Sequence, residues 1–157
     1  MKNQNGFSLI ELLIVVTIIL VISAIAIPSY MRARMQSNEA SAVSSLRTIN
    51  TAAVTYSTTY SDVGFPLTLG SMGGASPCTP NATSACLLDD ALSQGTKNGY
   101  SFVWTSDGLT PSESYTISAT PVRVGGSGQR MFCTDLAGVI RYDASGSGCN
   151  AASTPVQ

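Results

Sequence analysis

FSLIELLIVVTIILVISAIAI, residues 7–27, is the stretch of sequence that decides the fold of this chain. It has 21 residues and a single charged side chain, Glu11. As an α-helix it would be about 31 Å long, which is enough to cross the hydrocarbon core of a bilayer. Lys2, in the short polar flank before it, favours a cytoplasmic N-terminus. We therefore expect one membrane-spanning helix, with the rest of the chain on the far side of the membrane.

Glu11 is the informative residue of this helix, because a carboxylate within an apolar run is costly and usually marks a functional partner. A cut between Gly6 and Phe7 would create an α-amino group that can act as this partner. Phe7 and Glu11 are four residues apart, so they lie on one helix face. Between neighbouring copies, the amine of one would neutralise Glu11 of the next and set their axial register. The alternative is a Glu11 that reaches the membrane surface or stays protonated.

The residues GFSLIEL, from Gly6 to Leu12, closely resemble the cleavage motif of type IV prepilins and type II secretion pseudopilins. The resemblance implies cleavage after Gly6 by a dedicated membrane peptidase, N-methylation of Phe7, and a role for Glu11 in subunit alignment. It also implies four partners: copies of the chain in a helical filament, a prepilin peptidase and N-methyltransferase, an assembly platform in the inner membrane, and membrane lipid before assembly.

Pro28 matches a helix-interrupting proline that this family has just past the apolar run. A proline removes one helical hydrogen bond and kinks or loosens the preceding turn. Two outcomes stay open, a static kink and local melting when the helix leaves the membrane. Pilins often have a glycine in the apolar run that helps such melting, and residues 7–27 have none.

An ordinary signal peptide is the competing interpretation of the N-terminus. Ala24-Ile25-Ala26 has the small-x-small form of a signal-peptidase site, and a cut there would release a secreted protein that starts at Ile27. Glu11 near the start of the apolar run, the length of the run, and a single lysine before it all argue against this interpretation.

The helical pattern continues beyond Pro28. Apolar residues recur at steps of three or four and predict one stripe that packs on a core: Val43, Leu46, Ile49, Ala53, Tyr56 and Tyr60. Gly64 and Pro66 end the helix. From Phe7 to about Tyr60 it would run roughly 80 Å. A helix of this length without a second helix to cover it suggests assembly with copies of itself.

None of the four cysteines forms a C-x-x-C pair, which argues against a zinc ribbon or a thioredoxin-type site. An even number of cysteines in a loop-rich region instead fits two disulfides in an oxidising compartment. Three pairings are possible, and we favour Cys78–Cys86 and Cys133–Cys149 because each closes a short local loop. The second loop resembles the C-terminal disulfide loop of many type IV pilins. Residues 64–99, which contain the first pair, read as a connecting loop with a short helix at Leu87–Leu92. Asn81-Ala82-Thr83 matches the N-glycosylation pattern, and chance explains so short a match.

Short alternating segments predict a C-terminal sheet. Its four strand candidates are Tyr100–Thr105, Tyr115–Thr120, Arg130–Thr134 and Val139–Tyr142, with turns at residues 106–108 and 136–138 and a flexible hairpin loop at 125–128. The predicted fold class is α+β, with a long N-terminal helix packed against an antiparallel β-meander, as in pilins. The predicted segments are a removed leader 1–6, a membrane and filament-core helix 7–30, its amphipathic continuation 31–63, the loop 64–99, and the sheet with the disulfide-closed C-terminal region 100–157.

Composition argues against an enzyme. The chain has no histidine, and no nucleophile–base constellation appears among its Ser and Asp residues. We expect no cofactor and no metal, and interpret Asp135 and Asp143 as turn residues rather than calcium ligands because no dense array of acids surrounds them. A net charge of −1 gives no general attraction for nucleic acid. The local set Arg123, Arg130 and Arg141 is more typical of surface ion pairs.

These features predict a structural subunit of a type IV pilus, stored as a single-pass protein of the inner membrane and later found in an extracellular filament. Such filaments serve adhesion, twitching motility or DNA uptake. The alternative within the family is a pseudopilin of a type II secretion system, in a periplasmic pseudopilus. A more remote alternative is a membrane-anchored binding module, in which the helix is only a tether.

Overall fold

A computed structural model describes residues 7–146 and 148–156. The chain forms two compact units, one up to Arg34 and one from Met35 onward. Helix α1, Leu9–Thr59, belongs to both. A 3-10 helix at Leu69–Met72 and helix α2, Asp90–Ser93, follow it. Six strands complete the fold: β1 Thr96–Lys97, β2 Tyr100–Ser106, β3 Tyr115–Pro121, β4 Met131–Asp135, β5 Arg141–Asp143 and β6 Thr154–Pro155.

In the described residues, the first unit is the N-terminal half of α1, up to Arg34, and most of it is apolar. Its most apolar 18-residue window has a mean hydropathy of 3.0, and none of that window is buried within the chain. By length and composition this helix can cross a membrane. Pro28 lies inside α1, and the helix continues on both sides of it. A kink or local melting at Pro28 stays a prediction.

The second unit packs the rest of α1 against an antiparallel sheet. The strands lie in the order β1-β2-β3-β4-β5-β6, so each strand pairs with its neighbours in sequence. This arrangement confirms the predicted α+β fold with a meander after the long helix. The helix stripe and the inward side chains of β2, β3 and β4 form one core, whose fully buried large side chains include Leu46, Ile49, Tyr56, Tyr100, Ile117 and Phe132.

Trp104, the single tryptophan, lies at the edge of this core. Its indole N–H donates a hydrogen bond of 2.8 Å to the backbone carbonyl of Pro66. Its ring stacks on Tyr115 with centroids 4.5 Å apart. Because it contacts both the sheet and the loop after α1, its fluorescence can report the unfolding of the second unit.

Several sequence-predicted boundaries differ from the structure, and at two of them a distant partner takes the backbone. The predicted strand start at Arg130 moves to Met131, since the Arg130 N–H donates to the Glu39 carboxylate. The predicted strand Val139–Tyr142 becomes Arg141–Asp143, because its pairing with β4 begins at Arg141, opposite Cys133. The short helix starts at Asp90 rather than at Leu87, whose N–H donates to the Met72 carbonyl.

The segment between α1 and β1, residues 60–95, contains most of the predicted connecting loop 64–99, and it packs against the core. Leu69, Met72, Leu88 and Leu92 are buried in the core. Backbone hydrogen bonds tie the end of the first disulfide loop and the residues after it to the 3-10 helix, among them Ala85 N–H to Ser71 O and Leu87 N–H to Met72 O, both at 2.8 Å. Regularly spaced apolar residues are absent here, so periodicity did not predict this packing.

The four cysteines form the two local pairs that sequence analysis favours. Cys78 bonds to Cys86, and Cys133 bonds to Cys149. The first disulfide packs so closely on Gly74 that an added Cβ there would lie 2.0 Å from the Cys78 sulfur. The second joins β4 to the residues between β5 and β6. The two bridges therefore restrain the two long irregular segments of the second unit.

Candidate assembly site

The N-terminal end of α1 holds the residues on which the sequence prediction of assembly depends. The first helical bond joins Leu12 N–H to the Ser8 carbonyl at 3.2 Å, so the helical turn takes in Glu11. Phe7 and Glu11 are exposed, with 71% of Phe7 accessible. Gly6, the residue before the predicted cut, lies outside the described residues. Among the described residues, the Glu11 carboxylate accepts no hydrogen bond and forms no ion pair.

The helix after Glu11 presents apolar side chains on all sides. Large apolar residues between Leu9 and Ile27 are between 46% and 81% accessible in the single chain. Each side chain of this size gains about 1.5–3 kcal/mol when it leaves water for an apolar environment. Thr17 satisfies its hydroxyl locally by donating to the Ile14 carbonyl at 2.8 Å, as a polar group in lipid must. This surface therefore requires lipid or other protein around it.

Glu39 is a buried carboxylate in the second unit that sequence analysis missed. Only 6% of it is accessible, and it joins α1 to the segment between β3 and β4. Its Oε1 accepts the backbone N–H groups of Gln129 at 2.9 Å and Arg130 at 3.2 Å, and its Oε2 contacts Arg130 Nε at 2.7 Å. The Arg130 guanidinium in turn lies over the rings of Phe132 and Tyr142. The sequence contains a signal for this burial, because Glu39 lies four residues before Val43 and so continues the spacing of the apolar stripe.

The contacts of Glu39 decide its protonation. Burial alone would raise the pKa of the carboxyl, but the Gln129 N–H and the side chain and N–H of Arg130 together hold the pKa below its ordinary value of 4.5. A depressed folded-state pKa contributes stability that is present above the unfolded pKa of 4.5. That contribution is lost as pH falls through the lower folded-state pKa.

We expect Glu39→Gln to lower the free energy of unfolding by about 1–2 kcal/mol at pH 7, because the backbone donors keep an acceptor but lose the charge. The estimate is modest because 43% of the Arg130 side chain is accessible to water. The measurement is urea unfolding of the full chain in detergent, followed by Trp104 fluorescence. Glu113→Gln, at an exposed carboxylate, is the matched control.

The pH dependence gives this prediction a second readout. The stability difference between wild type and Glu39→Gln should be constant above pH 4.5 and shrink below it. A difference that stays the same at acidic pH would show that Glu39 acts by packing and not through its charge.

Asp107 organises the loop between β2 and β3. It accepts hydrogen bonds from the Ser112 hydroxyl at 2.8 Å and from the backbone N–H groups of Leu109, Glu113 and Ser114. The Ser112 hydroxyl, followed by these N–H groups, lowers the pKa of Asp107 to about 2, so the carboxylate stays charged at any physiological pH. The predicted tight turn at residues 106–108 is instead a loop that spans residues 107–114, built around this side chain.

The remaining sequence-predicted residues have separate structural roles. Asp135 Oδ1 accepts Ala137 N–H at 2.9 Å in the turn after β4, and Asp143 contacts the Ser145 hydroxyl. Of the three arginines, Arg130 pairs with Glu39 and Arg141 donates to the Ser153 carbonyl at 3.1 Å. Arg123 forms no ion pair among the described residues. In that part of the chain no group of three His, Cys, Asp or Glu side chains is placed to hold a metal ion.

Comparisons with known proteins identify the N-terminal segment. The family model of the prokaryotic N-terminal methylation motif matches residues 1–27. Two fimbrial proteins of Pseudomonas aeruginosa are each 49% identical over 53 residues, which are 34% of this chain and 34% of the relative. The type IV wide pilus major component PilA4 of Thermus thermophilus is 49% identical over 39 residues, 25% of this chain and 30% of the relative. No solved structure matches the chain significantly.

These matches span about a third of the relatives' length. They show that the chain has the methylation motif and is similar to type IV pilins in the matched segment. The relatives' names describe components of fimbriae and pili, the class of protein that sequence analysis predicts for this chain.

Proposed function

We propose that the chain is a structural subunit of a type IV pilus, cut after Gly6, N-methylated at Phe7 and polymerised through α1. The observation that carries the proposal is the combination, in one segment, of the methylation motif over residues 1–27 with an apolar helix that the chain leaves uncovered. Before assembly, lipid of the inner membrane would cover this helix. In the filament, the same helix of other copies would replace the lipid.

In this proposal, Glu11 fixes the axial position of each copy relative to the next. Apolar surfaces attract each other without fixing an axial position, since the hydrophobic effect has no direction. The exposed Glu11 carboxylate is the one charge in the run of residues 7–27. The α-amino group that the cut leaves at Phe7 is a cation that can enter the membrane with it. Pairing the amine of one copy with Glu11 of the next removes both charges from lipid and selects one axial position.

Before assembly, the second unit would lie on the far side of the inner membrane. After assembly, it would lie on an extracellular pilus. Two disulfides fit both places, because each is outside the cytosol. A prepilin peptidase and N-methyltransferase would process the chain, and an inner-membrane platform would assemble it. The filament would serve at the cell surface, in adhesion, twitching motility or DNA uptake.

The decisive experiment is the mass of the mature N-terminus, combined with imaging of sheared surface filaments. We expect an N-terminal Phe7 that bears one methyl group, and filaments that yield peptides from residues 31–157. An N-terminus at Met1 would support a membrane-anchored binding module, and one at Ile27 a secreted protein, and either result would overturn the proposal.

The same experiment separates a pilus from a secretion pseudopilus. A processed Phe7 without surface filaments, together with a block in protein export when the chain is deleted, would favour the type II secretion alternative. Filaments composed mainly of another chain would make this chain a minor component.

A further inference from the structure

The second unit has two ends along the direction of α1, and loops that connect the strands give each end a different surface. The loop after β3 lies beside residue 38 of α1, where the Asn38 side chain donates to the Ser127 carbonyl at 2.8 Å. At the opposite end, the loop after β2 contacts the segment after α1, where Phe65 N–H donates to Ser112 O at 2.9 Å. The turn after β4 begins at the same end of the sheet, since Asp135 pairs with Thr116 at the start of β3. Along α1, Asn38 contacts the first end and Asn50 contacts Thr134 just before the turn at the second end, so about 18 Å or more of helix separates the two ends.

The first end presents a basic tip, formed by Val122, Arg123 and Val124. Val122 is 68% accessible and Val124 61%, so two uncovered apolar side chains flank Arg123. The turn that carries them is held by backbone hydrogen bonds from Gly126 and Ser127 N–H to the Arg123 carbonyl, at 3.0 and 2.9 Å. The expected flexible loop at residues 125–128 is thus a closed turn that holds the basic tip in place.

Arg123 extends across this turn. An added Cβ at Gly126 would lie 2.9 Å from its Cδ, so the absence of a side chain there gives the arginine stem a surface to lie on. Arg123 is exposed and, among the described residues, has no carboxylate partner. Arg130 at the same end is already paired with Glu39. The basic tip therefore combines two uncovered valines with one cation available for an external partner.

The opposite end is acidic. We define it by the exposed side chains of Leu109 and Leu136, which are 58% and 53% accessible, and by the four acids around them: Asp62, Asp107, Glu113 and Asp135. The segments 60–64, 107–114 and 135–140, which form this end, contain no Lys or Arg. Among the described residues, the carboxylates of Asp62 and Glu113 accept no hydrogen bond. This end carries a local excess of negative charge beside uncovered apolar side chains.

From these two surfaces we propose that the basic tip of one copy docks on the acidic end of the next copy along the filament, an inference that rests on the proposed pilus function. Charge complementarity identifies the occupant as a second copy, because each end supplies what the other lacks. The two surfaces are at opposite ends, so the contact is head-to-tail, and in the proposed pilus its rotation does not close into a ring. Repeated contacts of this kind generate an open filament.

The docking contact would act together with the Phe7–Glu11 pairing of the helices. The helix pairing sets the axial register near the filament centre, and the tip contact fixes the rotation of each second unit on the outside. Because both surfaces are exposed, salt screens their attraction, and the apolar contact of the valines with the leucines persists.

A charge swap in the full chain tests the inference, with assembly measured as subunit recovered in sheared filaments relative to total subunit. We expect Arg123→Glu to reduce assembly by about tenfold or more, because like charges then face each other. Asp62→Lys with Glu113→Lys should reduce it comparably. The combination of all three changes restores opposite charges and should recover assembly to within about twofold of wild type.

Arg47→Glu is the matched control, since Arg47 is exposed on α1 away from both ends and its reversal changes the net charge equally. It should assemble like wild type. A non-reducing gel checks that each variant keeps both disulfides and so reaches the folded state.

Normal assembly of Arg123→Glu, failure of the triple variant to recover, or an equal loss in Arg47→Glu would each overturn the inference. In any of these cases, the proposed function still stands if the wild-type chain forms filaments and begins at a processed Phe7. Absence of wild-type filaments, with an N-terminus at Met1, would refute both.

Discussion

Replacing Glu11 with alanine should abolish filament assembly while the chain is still made, cut and held in the membrane. Glu11 is the single charge of residues 7–27, so its loss leaves the α-amino group of Phe7 without a partner in an apolar helix bundle. A desolvated charge without its partner costs several kcal/mol, which corresponds to a loss of more than about tenfold in assembled subunit. The measurement is subunit in sheared filaments against processed subunit in membranes.

Glu11→Gln distinguishes charge pairing from the alternative of a protonated side chain. Glutamine resembles a protonated glutamate in shape and polarity, so a protonated Glu11 predicts near-normal assembly. Charge pairing predicts that Gln fails as Ala does. Thr17→Ala is the control, since Thr17 is another polar residue of the same run whose hydroxyl bonds only to its own helix. If Glu11→Ala assembles normally, the alignment role of Glu11 is wrong.

Removing the Cys133–Cys149 disulfide, by changing both cysteines to alanine, should have the largest effect on the stability of the second unit. The two cysteines are 16 residues apart, and in the chain-entropy account a loop of that size contributes about 3 kcal/mol. The bridge connects β4 with the segment that leads to β6, which is otherwise joined to the sheet by the two residue pairs of β5 and β6 and by the bonds of Ser153 and Val156. Urea unfolding of the full chain in detergent, followed by Trp104 fluorescence, measures the loss.

The Cys78–Cys86 pair provides the matched comparison. Its separation is 8 residues, so the same account predicts a smaller loss of about 2.5 kcal/mol when both cysteines become alanine. Reduced wild-type protein should unfold at a lower urea concentration than either double variant. A larger loss from the shorter loop would show that packing around Gly74, and not the entropy of the unfolded chain, dominates the contribution.

Local patterns were sufficient to predict the long helix, its buried stripe and the three central strands. The alternation in Tyr100–Ser106 and Tyr115–Pro121 reflects one buried face, and it is visible without knowledge of the partner. The N-terminal motif is equally local, and its match to the methylation family needs only residues 1–27. The alignment role of Glu11 stays a prediction, because it depends on a second copy of the chain.

Features that depend on distant partners were not predictable in this way. Glu39 meets Arg130 across 91 residues of sequence, and this contact also moves the start of β4. Strands β1 and β6 have two residues each, which is too short for an alternating pattern. Val139 looked like a strand residue, but it lies between the turn after β4 and Arg141, where pairing with β4 begins, and is 40% accessible.

The sequential order of the strands has a consequence for how the second unit folds. Each strand pairs with its neighbour along the chain, so the sheet has a low contact order and can form hairpin by hairpin. The chain would emerge from the membrane with α1 first and β6 last, and each hairpin can close soon after its second strand appears. Docking of the finished sheet on α1 brings the long-range contacts, such as Asn50 with Thr134 across 84 residues. We therefore expect the second unit to fold quickly on the single, membrane-held chain, without help from neighbouring copies.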